Sequence, residues 1–144
     1  MIRFENVCLK YGDLLALDHI TFEVQKGEFV YLIGASGSGK SSLMRLMYMD
    51  AFPNTGEVKI ADYSSKKIKK REIYKLRRKL GVVFQDFKLL SDRNVFENIA
   101  FVLRITGTRK ADILRKVTKV LEQVGLQDKH LAMPSELSGG EQQR

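Results

Sequence analysis

The sequence contains very little cysteine, proline and histidine, and no tryptophan. Its 144 residues include one cysteine, two prolines and two histidines. A single cysteine excludes an internal disulfide and a cysteine-rich metal site. Cys8 lies in an alternating, strand-like run, so we expect it to be a small buried apolar side chain. Neither His19 nor His130 has ligand-like neighbours in the sequence, and we expect both on the surface.

Long apolar runs are also missing. The longest uninterrupted aliphatic or aromatic run is Phe29–Ile33, far short of the roughly 20 residues that span a bilayer. No basic stretch followed by an apolar run opens the chain, so we expect no secretory signal. Any association with a membrane is therefore expected to be peripheral, through a partner or a surface. The length and the 44% hydrophobic content fit one domain with a real core.

The positive charge is concentrated in one segment. The formal net charge is +8, and residues 66–79 contain nine basic side chains against Glu72 alone. Such a run can bind nucleic acid or anionic lipid, although Tyr74 is its only aromatic residue, which is unlike a single-strand binding surface. We favour the interpretation that the basic side chains form the solvated face of a helix. The apolar residues beside them are expected to be buried: Ile68, Ile73, Leu76 and Leu80. We expect no nucleic-acid partner.

Periodicity predicts the secondary structure. Alternation near residues 2–9 and 20–24 predicts two strands, and a third is expected near Glu57–Ile60. The apolar runs Glu28–Ile33 and Leu80–Phe84 predict strands buried on both faces, as in the centre of a parallel sheet.

Helix signals are clearest in the second half of the chain. Asn94 is the expected N-cap of a helix over Val95–Ile105. A second helix is predicted over Ala111–Val124, where six residues form one apolar stripe: Ile113, Leu114, Val117, Val120, Leu121 and Val124. Gly125 is placed to end that helix.

A glycine-rich motif follows the first predicted central strand. Residues 34–41 spell GASGSGKS, which fits the P-loop pattern G-x-x-x-x-G-K-[ST]. Backbone N–H groups of such a loop converge on phosphate oxygens, and Gly37 and Gly39 permit the close approach. Lys40 is expected to reach the β- and γ-phosphates, and the Ser41 hydroxyl to coordinate Mg²⁺. The predicted nucleotide-binding residues of this loop are Gly34, Ser36, Gly37, Ser38, Gly39, Lys40, Ser41 and Ser42.

A second motif, LSGGEQQR, occupies Leu137–Arg144. Ser138, Gly139 and Gly140 place a hydroxyl and free amides at an expected helix start, an anion-binding arrangement. Taken alone, these three residues are equally well explained as a loop with a helix cap. Ser138 lies 98 positions after Lys40, whereas DNA-repair ATPases that carry both motifs separate them by very long insertions.

Together the two motifs resemble those of ABC transporter ATP-binding subunits, and the resemblance extends along the entire chain. It implies an α/β fold of the P-loop NTPase, ABC type, in which a mixed sheet is joined by an antiparallel β-subdomain and a helical subdomain. We expect the P-loop core and β-subdomain in residues 1–87, and the helical subdomain with the signature motif in residues 88–144.

The resemblance also implies roles for individual residues. In this family an aromatic residue at the position of Tyr11 stacks on adenine, and a glutamine at the position of Gln85 contacts the metal and the attacking water. Lys40 and Gln85 are thus the expected catalytic residues, and Ser41 and Gln85 the metal-binding ones. The cofactors are ATP and Mg²⁺. Ser138, Gly139 and Gly140 are expected to contact ATP held by a second subunit, in a homodimer with ATP at the interface.

Within the family the chain most resembles the cell-division branch. The residues that carry this resemblance are Met1–Val7, Asp92–Arg93 and Leu121–Lys129. It implies an FtsX-like integral membrane protein as partner, and a peripheral location on the cytoplasmic face of the plasma (inner) membrane. The alternative is the ATPase subunit of a lipoprotein-releasing or macrolide-efflux type transporter, because GEQQR is shared among these relatives.

An acidic Walker B strand does not occur up to Arg144. P-loop ATPases need such a strand to hold Mg²⁺, so we expect the sequence to be the front part of a larger ATPase, incomplete at the C-terminus. By itself this stretch is expected to hydrolyse ATP negligibly. It is also expected to be marginally stable, because strand edges and apolar faces would remain uncovered.

Overall fold

The computed structural model describes residues 1–144 and divides them into two compact units, Met1–Gly81 and Val82–Arg144. The first unit contains all the strands and two helices, and the second contains three helices. No helix in the chain has both the length and the apolar character that crossing a membrane requires.

The first unit is built on a four-stranded antiparallel sheet with the order β2-β1-β3-β4. Its strands are β1 (Ile2–Tyr11), β2 (Leu14–Val24), β3 (Thr55–Ile60) and β4 (Tyr63–Ser64). The alternating runs predicted as strands are therefore confirmed. The Phe4 and Phe22 rings stack across β1 and β2 with their centroids 4.6 Å apart, which strengthens this cross-strand pairing.

Two helices contribute to the core of this unit. They are α1 (Lys40–Met47) and α2 (Ile73–Arg77), the latter preceded by a 3₁₀ turn at Lys70–Glu72. The buried core side chains come from the sheet, from α1 and the turn after it, and from α2: Phe4, Val7, Leu9, Leu17, Leu43, Leu46, Met49, Val58, Ile60 and Leu76. The basic segment is thus helical only in part. Its apolar side chains do pack as predicted, with Leu76 fully buried and Ile68, Ile73 and Leu80 partly buried against the core.

Two predicted central strands are absent. Residues 28–33 and 80–84 form no strand, and the side chains of Phe29, Ile33 and Val83 are 81%, 89% and 78% exposed. Both predictions of a buried strand were wrong for this chain. A strand is stabilised by ladder hydrogen bonds and by side chains packed on its faces, and no strand in residues 1–144 pairs with either segment.

A β-bulge interrupts the pairing of β1 with β2. Val7 pairs with Ile20 and Leu9 pairs with Leu17, so Cys8 alone lies opposite Asp18 and His19. His19 adopts a left-handed backbone with φ of 45°, as an extra residue in a bulge can. Cys8 is buried as predicted, but the expectation that His19 lacks ligand-like neighbours was wrong, because the bulge places Cys8 and Asp18 beside it.

The second unit contains three helices, of which the first two contribute buried side chains to a small core. They are α3 (Val95–Ile105), α4 (Lys110–Gln123) and α5 (Gly139–Gln143), with 3₁₀ turns at Gln127–Lys129 and Pro134–Glu136. The buried side chains are Val95, Ala100, Ile113, Val117, Leu121, Leu126 and Leu137. On α4 the predicted stripe is too wide, because Leu114 is 65% exposed.

Local signals at the helix ends are confirmed. The Asn94 side chain accepts the backbone N–H of Glu97 at 2.8 Å and begins α3. Gly125, with φ of 66°, follows α4. Its N–H donates to the Glu122 carbonyl at 3.2 Å, and that of Leu126 donates to the Leu121 carbonyl at 2.9 Å. This pair of bonds is a Schellman motif, which accepts a left-handed residue most readily when that residue is glycine.

Candidate nucleotide-binding site

The glycine-rich loop connects residues 28–33, which form no strand, to α1. Its turn is closed by the Ser38 N–H, which donates to the Ala35 carbonyl at 3.2 Å, and α1 begins where the Leu43 N–H donates to the Gly39 carbonyl at 2.9 Å. Gly37 and Gly39 have φ of 80° and 87°. Both values lie in the left-handed region, which residues with a Cβ rarely adopt. The loop therefore depends on glycine at these two positions.

Residue 39 must also be glycine because there is no space for a side chain. A Cβ at this position would lie 2.6 Å from the Ala16 carbonyl oxygen and 2.9 Å from Leu17 Cδ2. The end of the loop thus rests directly on β2, with no room for a side chain between them. At Gly34 a Cβ would approach the Ser38 Oγ to 2.6 Å. The loop is thus closely packed at both of its ends.

Lys40 supplies the positive charge of this loop. Its Nζ donates to the carbonyl oxygens of Gly34 at 2.8 Å and Ala35 at 2.6 Å, and lies 3.4 Å from the Ser38 Oγ. The ammonium group therefore lies over the loop itself. No acidic residue occupies the first turn of α1, so nothing opposes the positive potential of the helix N-terminus. Ser41 and Ser42 occupy this first turn, and Ser41 is exposed.

Tyr11 is joined to the helix that follows the loop. It ends β1 with its side chain partly exposed, and the Arg45 guanidinium of α1 lies 5.7 Å from its ring centroid. Arg45 also donates to the Tyr11 hydroxyl at 3.4 Å and to the Asp50 carboxylate at 2.8 Å. Sequence reasoning missed Arg45. Arg45 lies one helical turn after Ser41, and this spacing is the only signal in the sequence that suggests a role for Arg45. Its contact with Tyr11 could not be predicted because the two residues are far apart in the sequence.

Gln85 lies in a turn at residues 85–86 and is exposed. It was predicted to end a strand, and the missing strand makes that placement wrong. Phe87 and Lys88, just after the turn, both have left-handed backbones with φ of 55° and 52°. The Lys88 ammonium pairs with the Asp86 carboxylate at 2.6 Å, and this hydrogen bond lowers the pKa of Asp86.

Asn98 holds the loop that follows Gln85. Its amide oxygen accepts the Leu90 N–H at 2.8 Å, and its amide nitrogen donates to the carbonyls of Leu90 at 3.1 Å and Arg93 at 2.9 Å. Arg93 stacks over the Phe101 ring at 4.9 Å. The Asn98 amide nitrogen also donates to the Asn94 carbonyl at 3.0 Å, and a partly buried asparagine that bonds to four backbone groups rigidifies a loop. Sequence reasoning missed this residue, because an Asn within a helix gives no indication of which loop it will contact.

The signature motif caps a short helix. Ser138 is the N-cap of α5, and its Oγ accepts the Glu141 N–H at 3.3 Å while donating to the Glu141 carboxylate at 2.7 Å. The Ser138 N–H donates to the same carboxylate at 2.8 Å, which completes a capping box. These bonds, the Ser138 hydroxyl first, lower the pKa of Glu141. Gly139 and Gly140 are exposed beside them.

The predicted site residues are divided between the two units. Tyr11 and the glycine-rich loop belong to the first unit, where Arg45 of α1 contacts Tyr11. Gln85 and the signature motif belong to the second unit. There, a cavity of about 290 Å³ lies beside the segment that carries Gln85 and the helix of the signature motif. Its lining is mostly apolar and includes Phe84, Phe87, Val124, Leu137 and Gln142.

Comparison with known proteins decides the family. The family model described as ABC transporter matches residues 17–144. This chain belongs to the ABC transporter family. The ATP-binding cassette MJ0796, in a dimeric post-hydrolysis state bound to ADP and Pi, has a similar structure, with a TM-score of 0.86. The α/β fold with an antiparallel sheet and a helical unit is therefore the fold predicted from the motifs. That cassette is 30% identical, and the match covers 99% of this chain and 65% of the cassette.

Among ABC proteins, the chain is similar to cell division ATP-binding proteins named FtsE. It is 47% identical to the FtsE of Mycobacterium tuberculosis over 146 residues, which cover all of this chain and 64% of that protein. It is 45% identical to the FtsE of Escherichia coli K12 over 145 residues, with 65% of that protein covered. The chain thus spans just under two thirds of the length of these relatives.

Proposed function

We propose that this chain is the ATP-binding part of an ATPase subunit in an FtsE-type ABC complex of cell division. The observation that carries nucleotide binding is the loop of residues 34–39, which is held by left-handed glycines, packed without a gap on β2 and covered by the Lys40 ammonium. Similarity to FtsE proteins over the whole chain supports cell division as the setting.

The residues of the first unit bind the nucleotide in this proposal. Backbone N–H groups of Ser36–Gly39 and the N-terminus of α1 hold phosphate oxygens. Lys40 exchanges its two carbonyl partners for the β- and γ-phosphates, a stronger pairing because both groups are charged. The adenine stacks on the Tyr11 ring, whose position is set by Arg45. The base then adds affinity through its π face without a specific hydrogen bond.

Hydrolysis requires further groups. Ser41 and Gln85 offer oxygen atoms, the ligand type that Mg²⁺ prefers, and bound Mg²⁺ neutralises charge on the β- and γ-phosphates. The Gln85 amide additionally orients the attacking water. Both side chains are exposed. The acidic strand that completes such a site is expected beyond residue 144, and residues 1–144 alone are expected to bind ATP with negligible hydrolysis.

The signature motif acts on a second copy of the subunit in this proposal. Ser138, Gly139 and Gly140 contact the γ-phosphate of ATP held by the other subunit's loop, so ATP closes a homodimer. The dimeric state of the related cassette bound to ADP and Pi supports this arrangement. For the Ser138 hydroxyl to donate to a phosphate, it must first release the Glu141 carboxylate.

The membrane partner in this proposal is an FtsX-like integral membrane protein, with the subunit peripheral on the cytoplasmic face. The alternative is a lipoprotein-releasing or macrolide-efflux type transporter. Affinity purification from the native membrane distinguishes the two. Recovery of an FtsX-like protein supports the proposal, and recovery of a lipoprotein-release or efflux permease in its place contradicts the cell-division assignment.

Nucleotide binding is tested with a fluorescent ATP analogue and the Lys40→Ala variant. Loss of a charge-assisted contact worth about 1.5–3 kcal/mol weakens binding by at least about tenfold. Lys67→Ala is the matched control, because Lys67 is exposed in the same unit, and its affinity should equal that of the unsubstituted chain. Equal affinity for all three proteins would show that the loop does not bind the phosphates.

The larger ATPase is tested by sequencing the reading frame beyond codon 144. An apolar strand ending in Asp-Glu supports an intact hydrolytic site in the full protein. A stop codon directly after Arg144 leaves a nucleotide-binding chain and contradicts the proposed hydrolysis.

A further inference from the structure

The bulge between β1 and β2 gathers three side chains with different metal-binding chemistry. Cys8 Sγ, an Asp18 carboxylate oxygen and a His19 ring nitrogen all lie within 4.8 Å of one another. Asp18 Oδ1 is 3.9 Å from Cys8 Sγ and 2.5 Å from His19 Nδ1. Because two residues of β2 face one residue of β1, side chains that would otherwise alternate between the two faces of the sheet meet at one point.

The backbone of the bulge also turns toward the sulfur. The His19 N–H does not pair across the ladder but donates to Cys8 Sγ at 3.3 Å. This bond fixes the position of the sulfur relative to the backbone of the bulge. Cys8 Sγ accepts this bond and its thiol donates to Asp18 Oδ1 at 3.9 Å, and the residue is only 7% exposed.

The other two proposed ligands are exposed to solvent. The side chains of Asp18 and His19 are 64% and 66% exposed. A tetrahedral ion with Zn–S near 2.3 Å and Zn–N near 2.0 Å separates neighbouring ligand atoms by roughly 3.5 Å. Metal binding therefore requires the exposed Asp18 and His19 side chains to rotate, so that their ligand atoms, which lie within 4.8 Å of Cys8 Sγ, come closer to the sulfur. Cys8 would contribute sulfur from the buried side of the cluster, and Asp18 and His19 would contribute oxygen and nitrogen from its exposed side.

We propose that Cys8, Asp18 and His19 form a binding site for Zn²⁺ or a similar divalent transition-metal ion, separate from the Mg²⁺ of the nucleotide site. Coordination replaces the thiol proton of Cys8, which passes to the solvent, by a sulfur–metal bond. Three protein ligands leave a fourth tetrahedral position for water. Thiolate and imidazole ligands select zinc and its neighbours over Mg²⁺, which prefers oxygen.

The site lies close to the nucleotide-binding loop in the same unit. Asp18 directly follows Leu17, the residue whose side chain would meet a Cβ at Gly39. A bound ion would cross-link β1 and β2 at the bulge, one residue from the point where β2 supports the loop. Because this cross-link does not involve the nucleotide, the occupancy of the proposed metal site can be measured without nucleotide.

The test uses the tag-free 144-residue chain, stripped of metal and titrated with Co²⁺ under reducing conditions. A sulfur-to-cobalt charge-transfer band is expected at one equivalent, which Zn²⁺ then abolishes and millimolar Mg²⁺ does not. Cys8→Ser should lose the band, and His19→Asn should weaken binding by at least about tenfold, the range seen when metal-site residues are altered. The matched control is His130→Asn, because His130 is an exposed histidine outside the cluster, and it should titrate like the unsubstituted chain.

A second measurement avoids any dependence on the folding of variants. Cys8 is the only cysteine, so the rate of thiol labelling of the unsubstituted chain reports this one sulfur. Zn²⁺ should slow labelling in proportion to occupancy, and Mg²⁺ should leave the rate unchanged. Absence of a charge-transfer band together with labelling that Zn²⁺ does not slow would overturn the proposal. So would a band and an affinity that Cys8→Ser leaves intact.

Discussion

Gly39 offers the sharpest test of how the nucleotide-binding loop is built. Two separate features of the structure disfavour alanine there. The backbone is left-handed, with φ of 87°, and the added Cβ would lie 2.6 Å from the Ala16 carbonyl oxygen. Gly37 shares only the first feature, because its φ is 80° and nothing lies within 4 Å of a Cβ there. Gly37→Ala is therefore a control that isolates the contact with β2.

The expected magnitudes follow from these two features. A left-handed backbone costs an L-residue about 1–2 kcal/mol, and this cost applies to both variants. At Gly39 the neighbour in contact is backbone and cannot rotate away, so overpacking adds about 1–3 kcal/mol. We expect Gly39→Ala to lower the free energy of unfolding by about 2–5 kcal/mol, and Gly37→Ala by about 1–2 kcal/mol.

Urea titration followed by tyrosine fluorescence measures both variants. All five tyrosines lie within residues 1–81, and the chain has no tryptophan, so the signal reports the first unit. The midpoint should fall further for Gly39→Ala, with an unchanged slope against urea. Equal midpoints for the two variants would refute the argument, because they would mean that the loop does not rest on β2 as described.

Three further predictions concern packing, capping and pH. Leu46 is fully buried, so Leu46→Ala should lower the free energy of unfolding by about 2–5 kcal/mol. The Leu114 side chain is 65% exposed, so Leu114→Ala should change that free energy by under about 0.5 kcal/mol. Equal losses for the two variants would contradict the assignment of Leu46 to the core. Asn94→Ala removes the side chain that accepts the Glu97 N–H and should lower the free energy of unfolding by about 1 kcal/mol. Urea titration followed by helical circular dichroism measures this loss. An unchanged free energy would mean that water replaces the cap. The pKa of Glu141 is lowered in the folded chain, first by the Ser138 hydroxyl, so its stabilising contribution is present above the ordinary value near 4.5 and is lost as the pH falls through the lowered folded value. The free energy of unfolding of Glu141→Gln should therefore differ from that of the unsubstituted chain at neutral pH and converge with it in acid. Urea midpoints across a pH series measure this difference. A difference that stays constant with pH would contradict the capping role.

Features that depend on a few neighbouring residues were predictable. The Asn94 cap, the glycine that ends α4 and the bounds of α3 each follow from contacts within four residues along the chain, where geometry leaves few alternatives. The alternation that predicts β1 and β2 belongs to this class, because one face of each strand packs on a core. Leu114 shows the limit, since helical periodicity identifies an apolar stripe but not how much of its width a neighbour will cover.

Features that depend on distant partners were not predictable. The segment 28–33 has the apolar composition of a central strand, yet composition cannot provide the partner strand that a ladder needs. The contact of Arg45 with Tyr11 joins residues 34 positions apart, and no local pattern specifies it. The loop clamp by Asn98 is similar, because its partners are selected by the path of the chain and not by its own helix.

The sequence by itself determined the family, the nucleotide-binding loop and the signature motif, because phosphate recognition by backbone groups demands particular residues at fixed spacing. Tertiary structure alone decided which surfaces those motifs rest on. It set the requirement for glycine at Gly39 through the carbonyl of Ala16, and it brought Cys8 to Asp18 and His19 through a one-residue bulge. Register between strands is fixed by contacts across the whole sheet, and a shift of one residue would separate these groups while leaving the sequence unchanged.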